Sequence, residues 1–461
     1  MALVSNSSSG ARSAPAPARV CAHRVLLRVF EQGAYADRAL VSEAATLGER
    51  DRALAMRLAY GAIQRAGTSD HLIERLAKRP PARLDAPVRA SLRLGLYELL
   101  YLDGAPDYAV VADAVELAKA GGRGGHGLVN AVMRRAAREG AAALLGPLRD
   151  DTPAHAAIEH SHPRWLAELL WQALGAEEAR ALMACDNRPS ELALRVNSLR
   201  AEAGELAQRL GVRTRRDPRL DEALIVEEAF DVHGSPLWEQ GLFTAQSRAA
   251  MLVSRALAPL PGEQVLDLCA APGGKTSHLA ALMEDRGRVV AVEADPRRAR
   301  ALEATVGRLG ASIVEVEVAD AREPRTGEGF DRVLVDPPCS GLGTLQARAD
   351  LRWRVEPAAI AQMCDDQFRI LDCGAEVLRS GGALVYSTCT ISPAENEQLI
   401  ADFLDRHPDF HLDDLAAEMP DFAFQLPAAE ERADAVRRRS LQTLPHRHGT
   451  AGFFIARLRR T

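Results

Sequence analysis

The sequence predicts a multidomain protein, with an all-α helical domain followed by a small α+β module and a doubly wound α/β domain. Three observations support this. Between Val20 and Arg138, apolar residues recur at steps of three and four, as amphipathic helices require. Residues 151–250 mix short apolar runs with a helical pattern. From Gln264 onward, short apolar strands alternate with helices, which is typical of parallel βαβ units. A chain of 461 residues is also too long for one ordinary core.

The helical domain is expected over residues 19–150. Segments such as 52–61 and 92–102 can each bury one apolar face, so a helical bundle follows. Pro80 and Pro81 are expected to end one helix, and the glycine-rich stretch 121–127 to form a turn before another. Residues 1–18, rich in Ser, Ala and Pro, are expected to be a disordered tail, with an organelle transit peptide as the alternative.

The middle module, residues 151–250, is expected to contain strands at 192–197 and 223–226 with a helix at 202–210 between them. The last domain, residues 251–461, is expected to be Rossmann-like, with parallel strands at 265–268, 288–292, 313–318, 332–335 and 383–386. Ligands of such sheets bind beyond the carboxyl ends of the strands, so the functional residues are sought there.

The composition is that of a folded cytoplasmic protein, with 47% hydrophobic and 26% charged residues. No apolar stretch is long enough for a membrane helix, which excludes an integral membrane protein of that type. The seven cysteines form no C-x-x-C pair and no zinc spacing, so we expect no metal site and a reducing compartment.

The charge is unevenly distributed along the chain. The net charge is -6, but residues 1–150 hold 21 Lys and Arg against 15 Asp and Glu, which gives +6 for this part and -12 for the remainder. The amino-terminal third is therefore the better candidate for contact with phosphates, and a solvated surface without a partner is the alternative.

A glycine-containing loop follows the first strand of the last domain. Its residues are Cys269, Ala270, Ala271, Pro272, Gly273, Gly274 and Lys275. The loop matches neither a P-loop nor a dinucleotide fingerprint, and its glycines allow close approach of a ligand to the backbone. A simple strand-to-helix turn is the alternative.

Two acidic residues follow the next two strands. Glu293, which is 26 residues after Asp267, can accept hydrogen bonds from ribose hydroxyls, and Asp320 lies beside the same crevice. Either one alone could be a helix cap. Together with the loop, they outline a pocket for a nucleoside without phosphates, which S-adenosylmethionine satisfies and NAD does not.

Two cysteines follow the fourth and fifth strands. The sequence Asp336-Pro-Pro-Cys-Ser340 places Asp336 and Cys339 on a loop stiffened by two prolines, and Tyr386-Ser-Thr-Cys-Thr390 places Cys389 at the neighbouring strand end. We expect the two thiols to converge on one crevice. A buried structural role for Cys339 and a disulfide between the two cysteines are the alternatives.

These blocks resemble, over nearly the whole chain, the bacterial 16S ribosomal RNA cytosine-5 methyltransferases of the Sun/Fmu type. The matching blocks are Cys269–Thr276, Asp336–Cys339, Ser387–Cys389 followed by Glu395-Asn-Glu397, and Gly452–Ala456. The helical region, with 114–119 and 127–132, is similar to the NusB-type RNA-binding domain that precedes the catalytic part in this branch.

The resemblance implies a role for each residue of the site. Cys389 would be the nucleophile, and Cys339 would assist product release. Since carbon 5 of cytosine is a poor nucleophile, we expect Cys389 to attack carbon 6 and Asp336 to hydrogen-bond the base near N3. The S-adenosylmethionine site would comprise Cys269 to Lys275, Glu293, Asp320 and Asp336. The RNA partner would be 16S ribosomal RNA. A transfer RNA cytosine-5 methyltransferase and a non-catalytic RNA-binding scaffold are the alternatives.

Four positions depart from the family pattern. Ser247 stands where Asp is common, Arg348 and Ala349 stand where His-Pro is frequent, and Ala451 replaces an acidic residue. None of them is a catalytic thiol, so the departures concern contacts to RNA and the identity of the target nucleotide, and they leave the expected reaction type unchanged.

Overall fold

The computed structural model describes residues 15–121, 124–323, 329–423 and 431–461. The contacts divide the described chain into two compact units. The first comprises the residues through Ala167 together with the segment Arg348–Arg354. The second comprises Glu168–Ala347 and Val355–Thr461.

The first unit is helical, as predicted. Its α-helices are α1 (Pro17–Gln32), α2 (Ala36–Glu43), α3 (Glu49–Gln64), α4 (Ala66–Ala77), α5 (Ala86–Tyr101), α6 (Asp107–Ala120), α7 (His126–Leu145) and α8 (Pro153–Glu159). Fully buried side chains such as Leu26, Leu58 and Leu92 form its interior, and they come from the apolar faces that the periodicity identified.

Two sequence predictions for this unit concern segments that lie partly outside the described residues. Residues 1–14 of the predicted tail lie outside them, and the expectation for 1–18 is wrong at its end, because α1 begins at Pro17. Proline is favoured in the first turn of a helix, where the missing N–H costs no hydrogen bond. The predicted turn at 121–127 contains residues 122 and 123, which are also outside the described residues.

The segment Arg348–Arg354 belongs to the helical unit although it is distant from it in sequence. It contains a 3-10 helix, Ala349–Trp353. The fully buried Arg352 donates a hydrogen bond from Nη1 to the Ser161 carbonyl oxygen at 3.1 Å. Trp353 donates from Nε1 to the carbonyl oxygen of Ile63 at 2.9 Å. This segment therefore supplies part of the interior of the helical unit.

Helix α9 (Arg164–Leu174) crosses the sequence boundary between the units, and α10 (Ala176–Cys185) precedes a small antiparallel sheet. The strands of this sheet are β1 (Leu192–Val196), β2 (Thr214–Asp217), β3 (Leu220–Val226) and β4 (Phe243–Ala245), in the order β2-β3-β1-β4. The predicted helix is α11 (Ala203–Leu210), and α12 (Pro236–Glu239) precedes β4. The sequence did not predict β2 and β4, because β2 is polar and β4 is only three residues long.

The parallel part of the large sheet contains β5 (Gln264–Asp267), β6 (Arg288–Val292), β7 (Val314–Glu317), β8 (Phe330–Val335) and β9 (Leu378–Thr388), in the order β9-β8-β5-β6-β7. Its helices are α13 (Arg248–Leu257), α14 (Gly274–Leu282), α15 (Pro296–Leu309), α16 (Pro357–Glu376) and α17 (Glu397–Arg406). The predicted doubly wound fold is confirmed, and strand interiors such as Val265, Val333 and Leu384 are fully buried.

The sheet is mixed, because strands near the carboxyl terminus extend it in the antiparallel sense. These are β10 (Phe410–Leu412), β11 (Leu441–Gln442) and β12 (Phe454–Arg460), of which β12 pairs with β9 and the other two pair with β12. Helices α18 (Leu415–Glu418), α19 (Glu431–Arg439) and α20 (Pro445–His448) connect them. The sequence analysis did not predict this extension. No helix within the described ranges is long and apolar enough to cross a membrane.

Candidate active site

The loop between β5 and α14 is shaped by its glycines. Gly273 has φ +99°, a left-handed conformation that L side chains rarely adopt, and a Cβ at this position would lie 2.8 Å from Cδ1 of Leu302. Both the backbone and the packing therefore require glycine here. Helix α14 begins at Gly274, directly after this residue.

A buried arginine of the small sheet supports the start of α14. Arg195 of β1 donates from Nη1 to Oε1 of Gln246 at 2.7 Å and from Nη2 to Oγ of Ser277 at 2.8 Å. Its Nη1 also donates to the carbonyl oxygen of Gly274. Burial lowers the pKa of Arg195 to about 9, which still leaves the guanidinium charged at neutral pH. Arg195 was not predicted from the sequence, because no local sequence pattern identifies an arginine in a strand as the partner of a distant loop.

Glu293 and Asp320 follow the ends of β6 and β7. Glu293 is 5% exposed, and its Oε1 accepts a hydrogen bond from the backbone N–H of Asp295 at 3.0 Å. Asp320 accepts from the backbone N–H of Arg322 at 2.9 Å, and the hydrogen bonds from the Arg322 guanidinium and backbone lower the pKa of Asp320. Because β5, β6 and β7 are adjacent and parallel, the loop and the two acids lie at the same edge of the sheet.

Asp336 follows β8, and both of its carboxylate oxygens make polar contacts. Oδ2 lies 2.6 Å from Nζ of Lys275, and Oδ1 accepts a hydrogen bond from Oγ of Ser387 at 2.6 Å. Burial alone would lower the pKa of Lys275, but the charge and hydrogen bond of Asp336, together with the nearby Cys389 and Asp267, outweigh it and the pKa is raised. Lys275 is therefore a cation at neutral pH, fixed beside the end of β9.

The two cysteines predicted to converge lie side by side. Sγ of Cys339 is 3.3 Å from Sγ of Cys389, well beyond the length of a disulfide, and neither cysteine is in a disulfide. The strand order explains this approach, because β8 and β9 are adjacent parallel strands with Val335 paired to Tyr386. The hydrogen bond with Cys389, together with burial, raises the pKa of Cys339 and keeps that thiol protonated.

A buried polar cluster lies behind the thiols. Glu395 is completely buried, and its carboxylate accepts hydrogen bonds from Ser340 and Gln367. Tyr386 donates from its hydroxyl to the Glu395 carbonyl oxygen at 2.8 Å. The sequence analysis singled out the block that begins with Glu395 but gave it no role.

Two of the positions that depart from the family pattern have a local structural explanation. Ser247 caps the start of α13, accepting a hydrogen bond at Oγ from the N–H of Ala250 at 3.2 Å, and serine can replace aspartate in this role. Ala451 contributes its carbonyl oxygen, which accepts from Oγ of Thr443 at 2.7 Å, so its side chain is not needed for that contact. Arg348 and Ala349 belong to the segment of the helical unit described above.

Comparison with known families accounts for almost the whole chain. The profile of the family described as 16S rRNA methyltransferase RsmB/F matches residues 254–459. The NusB family matches residues 16–138, and the ferredoxin-like domain of RsmF/B-like methyltransferases matches residues 162–233. The chain belongs to the RsmB/F family of 16S rRNA methyltransferases.

Curated relatives share the full length of this RsmB/F chain. A probable ribosomal RNA small subunit methyltransferase B from Bacillus subtilis is 34% identical over 96% of this chain and 98% of its own. A protein of the same description from Synechocystis is 36% identical, covering 96% and 99% of the two chains. A putative methyltransferase from Mycobacterium tuberculosis is 37% identical, covering 98% and 99%.

Two solved structures resemble about two thirds of the RsmB/F chain. A methyltransferase homologue from Pyrococcus horikoshii has a TM-score of 0.58 and 30% identity, covering 68% of this chain and all of its own. The NSun6 protein of the same organism, solved with SFG, has a TM-score of 0.57 and 25% identity, covering 65% and 98%. The resemblance therefore extends from the sequence to the fold.

Proposed function

We propose that this RsmB/F protein is an S-adenosylmethionine-dependent methyltransferase that methylates carbon 5 of a cytosine in 16S ribosomal RNA, with Cys389 as the covalent catalyst. The observation that carries the proposal is the pair of thiols 3.3 Å apart, neither of them in a disulfide, at the ends of two adjacent strands. One thiol is kept protonated beside the other, which is the arrangement that a thiolate nucleophile and a separate release group require.

The residues at the adjacent strand ends fit S-adenosylmethionine as the methyl donor. Acidic side chains follow β6 and β7 at Glu293 and Asp320, where carboxylates suit ribose hydroxyls and a positively charged ligand. The loop from Cys269 to Lys275 offers its glycine backbone for close approach. The NSun6 structure contains SFG, an analogue of this donor, on a related fold. When bound, S-adenosylmethionine supplies an electrophilic methyl group.

The thiolate makes carbon 5 reactive. Carbon 5 of cytosine is a poor nucleophile, so the Cys389 thiolate first adds to carbon 6, forming an S–C bond and placing electron density on carbon 5 and on the N3 edge of the ring. Asp336, which is held by its bonds to Lys275 and Ser387, would contact that edge and stabilise the charge. Carbon 5 can then take up the methyl group.

Release reverses the addition. A base takes the proton from carbon 5, its electron pair restores the double bond between carbons 5 and 6, and the S–C bond to Cys389 breaks. Cys339 assists this elimination, because its sulfur is adjacent to the departing thiolate. Once Cys389 is bonded to carbon, the negative charge that raises the pKa of Cys339 is gone, so Cys339 becomes easier to ionise at the stage where release takes place.

The relatives and the helical unit support ribosomal RNA as the substrate class. The curated relatives are described as ribosomal RNA small subunit methyltransferases, and residues 16–138 match the NusB family. The part of the chain through residue 150 also has the positive charge balance suited to phosphates. The target cytosine must be unstacked before a thiol can reach carbon 6, so the helical unit would position RNA while the sheet performs the reaction.

The proposal is tested by incubating the purified protein with S-adenosylmethionine and either 16S ribosomal RNA or total transfer RNA, followed by bisulfite sequencing. We expect one protected cytosine in the ribosomal RNA and none with the Cys389→Ala variant. Protection of transfer RNA alone would replace the substrate class. Failure to bind S-adenosylmethionine by calorimetry would instead identify an RNA-binding scaffold and overturn the proposal.

A further inference from the structure

We propose that Glu395 is the positioning residue of the thiol pair: its carboxylate fixes the loop that carries Cys339 against the loop that carries Cys389. This inference rests on the proposed function. Glu395 touches neither thiol with its side chain, yet it is completely buried and its described hydrogen-bond partners are uncharged groups. A buried carboxylate is costly unless its acceptors are satisfied, so its retention here calls for an explanation in terms of the site.

The first connection runs to the Cys339 loop. Oε1 of Glu395 accepts the backbone N–H of Ser340 at 2.9 Å, and Oε2 accepts the hydroxyl of Ser340 at 2.5 Å. Gln367 strengthens this connection, because its Nε2 donates both to Oε1 of Glu395 and to the carbonyl oxygen of Pro338, each at 3.0 Å. The residues on both sides of Cys339 are therefore bound to one buried cluster.

The second connection runs to the Cys389 loop. Oγ1 of Thr390 lies 2.6 Å from Oγ of Ser340 and 3.4 Å from Oε2 of Glu395. The neighbouring Asn396 donates from Nδ2 to the carbonyl oxygen of Thr390 at 3.1 Å. The residue that follows Cys389 is thus tied to the same carboxylate through short hydrogen bonds, so the separation of the sulfurs depends on Glu395.

The charge of Glu395 acts in the same direction as its hydrogen bonds. The Cys389 hydrogen bond and burial are the main causes of the raised pKa of Cys339, and the negative charge of Glu395 adds to them. On the other side of the pair, the cation of Lys275 interacts with Cys389. A negative group near Cys339 and a positive group near Cys389 together place the shared proton on Cys339 and leave Cys389 as the thiolate.

Two substitutions separate the geometric and electrostatic contributions. Glu395→Gln keeps the length of the side chain and removes its charge, whereas Glu395→Asp keeps the charge and shortens the side chain by one methylene. The matched control is Glu397→Gln, which removes another buried carboxylate, one that pairs with Arg437 and forms no hydrogen bond with the cysteine loops in the described part of the chain. Each full-length variant is assayed for methyl transfer, and iodoacetamide alkylation of Cys339 and Cys389 is followed by mass spectrometry across pH.

For Glu395→Asp we expect kcat to fall about 100-fold, the loss typical of a misplacement of about 1 Å, with KM for RNA and S-adenosylmethionine unchanged within about twofold. For Glu395→Gln we expect a fall in kcat of about tenfold, as for the loss of one hydrogen bond to a charged group. We also expect Cys339 alkylation to shift to lower pH, because a negative charge that contributes to its raised pKa is removed. Glu397→Gln should show neither change. Wild-type kcat and an unshifted alkylation profile in both Glu395 variants would overturn the proposal.

The alkylation measurement needs neither RNA nor S-adenosylmethionine, so it separates this inference from the proposed function. A shifted profile in an enzyme that does not methylate cytosine would refute the function and retain the positioning role. If neither Glu395 variant folds, Thr390→Val provides the test, since it removes one hydroxyl from the cluster and leaves the carboxylate in place. Thr390→Val should lower kcat without changing either KM, and an unchanged kcat would contradict the proposed connection.

Discussion

Gly343 and Gly452 lie in direct backbone contact. The N–H of Gly452 donates to the carbonyl oxygen of Gly343 at 2.7 Å, and a Cβ at Gly452 would lie 2.9 Å from Cα of Gly343. The N–H of Gly343 in turn donates to the carbonyl oxygen of Cys389 at 3.0 Å. The loop beyond Cys339 therefore packs against the loop that carries Cys389, which gives the Gly452 block of the family pattern a structural reason.

Gly343→Ala should therefore damage the site. A Cβ at Gly343 would overlap the Gly452 carbonyl group, which is backbone and cannot rotate away. We expect a loss of about 1–3 kcal/mol in the free energy of unfolding and a clear loss of kcat. Urea denaturation and methyl-transfer kinetics measure the two effects. Gly204→Ala is the control, because that helical glycine has open space around its missing Cβ, and it should be neutral or slightly stabilising.

The two cysteines should give opposite results in an adduct assay. Cys389→Ala removes the atom that bonds to carbon 6, so no covalent protein–RNA band should form on a denaturing gel. Cys339→Ala keeps that atom and removes the release group 3.3 Å away, so the band should accumulate while turnover falls. A band in Cys389→Ala, or none in Cys339→Ala, would reverse or remove the assigned roles.

Arg195→Lys should weaken binding of the methyl donor. The guanidinium reaches Gln246, Gly274 and Ser277 at once, and a single ammonium cannot reproduce that fork. We expect the Kd for S-adenosylmethionine to rise about tenfold, equivalent to the loss of about one charged hydrogen bond. Calorimetry on the folded variant measures this, with Arg200→Lys, an exposed arginine of the same module, as the control that should bind normally. An unchanged Kd in Arg195→Lys would show that the loop does not need this support.

Acid should destabilise the helical unit through His162. Burial, followed by the nearby charge of Arg352, lowers the pKa of His162 well below its ordinary value. The folded state therefore keeps this side chain neutral while the unfolded chain takes up a proton below about pH 6.5, so stability is present above that pH and lost as pH falls.

His162→Gln should flatten this dependence. Thermal unfolding followed between pH 7.5 and about 5 should show a smaller fall in Tm for the variant than for the wild type. His126→Gln, at an exposed position, should retain the wild-type slope. Equal slopes in wild type and His162→Gln would mean that another group dominates the acid response.

Much of the fold could be predicted because its signals are local. Apolar spacing predicted the helices of the first unit and the five parallel strands. Because Cys339 and Cys389 follow two of those strands, the sequence also predicted that the thiols converge, and the adjacency of β8 and β9 agrees with this. Short polar strands such as β2 could not be predicted, because four mostly charged residues show no alternation of apolar and polar residues.

The support of the site could not be predicted, because its contacts are distant in sequence. Glu395 binds Ser340 across 55 residues, and Arg195 binds Ser277 across 82. Neither pair follows from periodicity or from a motif, since each requires two separately folded elements to meet. Resemblance to a family marked Glu395 as part of a pattern, but the hydrogen bonds that give it a reason appear only in the folded chain.

Arg352 and Trp353 come from a segment that is distant in sequence from the helical unit, and this has a consequence for exchanging domains between relatives. A fragment ending at Ala167 would carry every helix from α1 to α8, yet it would lack two large side chains that fill its interior and bond to Ile63 and Ser161. A chimera that transplants only the amino-terminal region would therefore combine a helical bundle from one protein with an interior segment from another. Such chimeras should fold well only when residues 348–354 come from the same protein as the helical bundle.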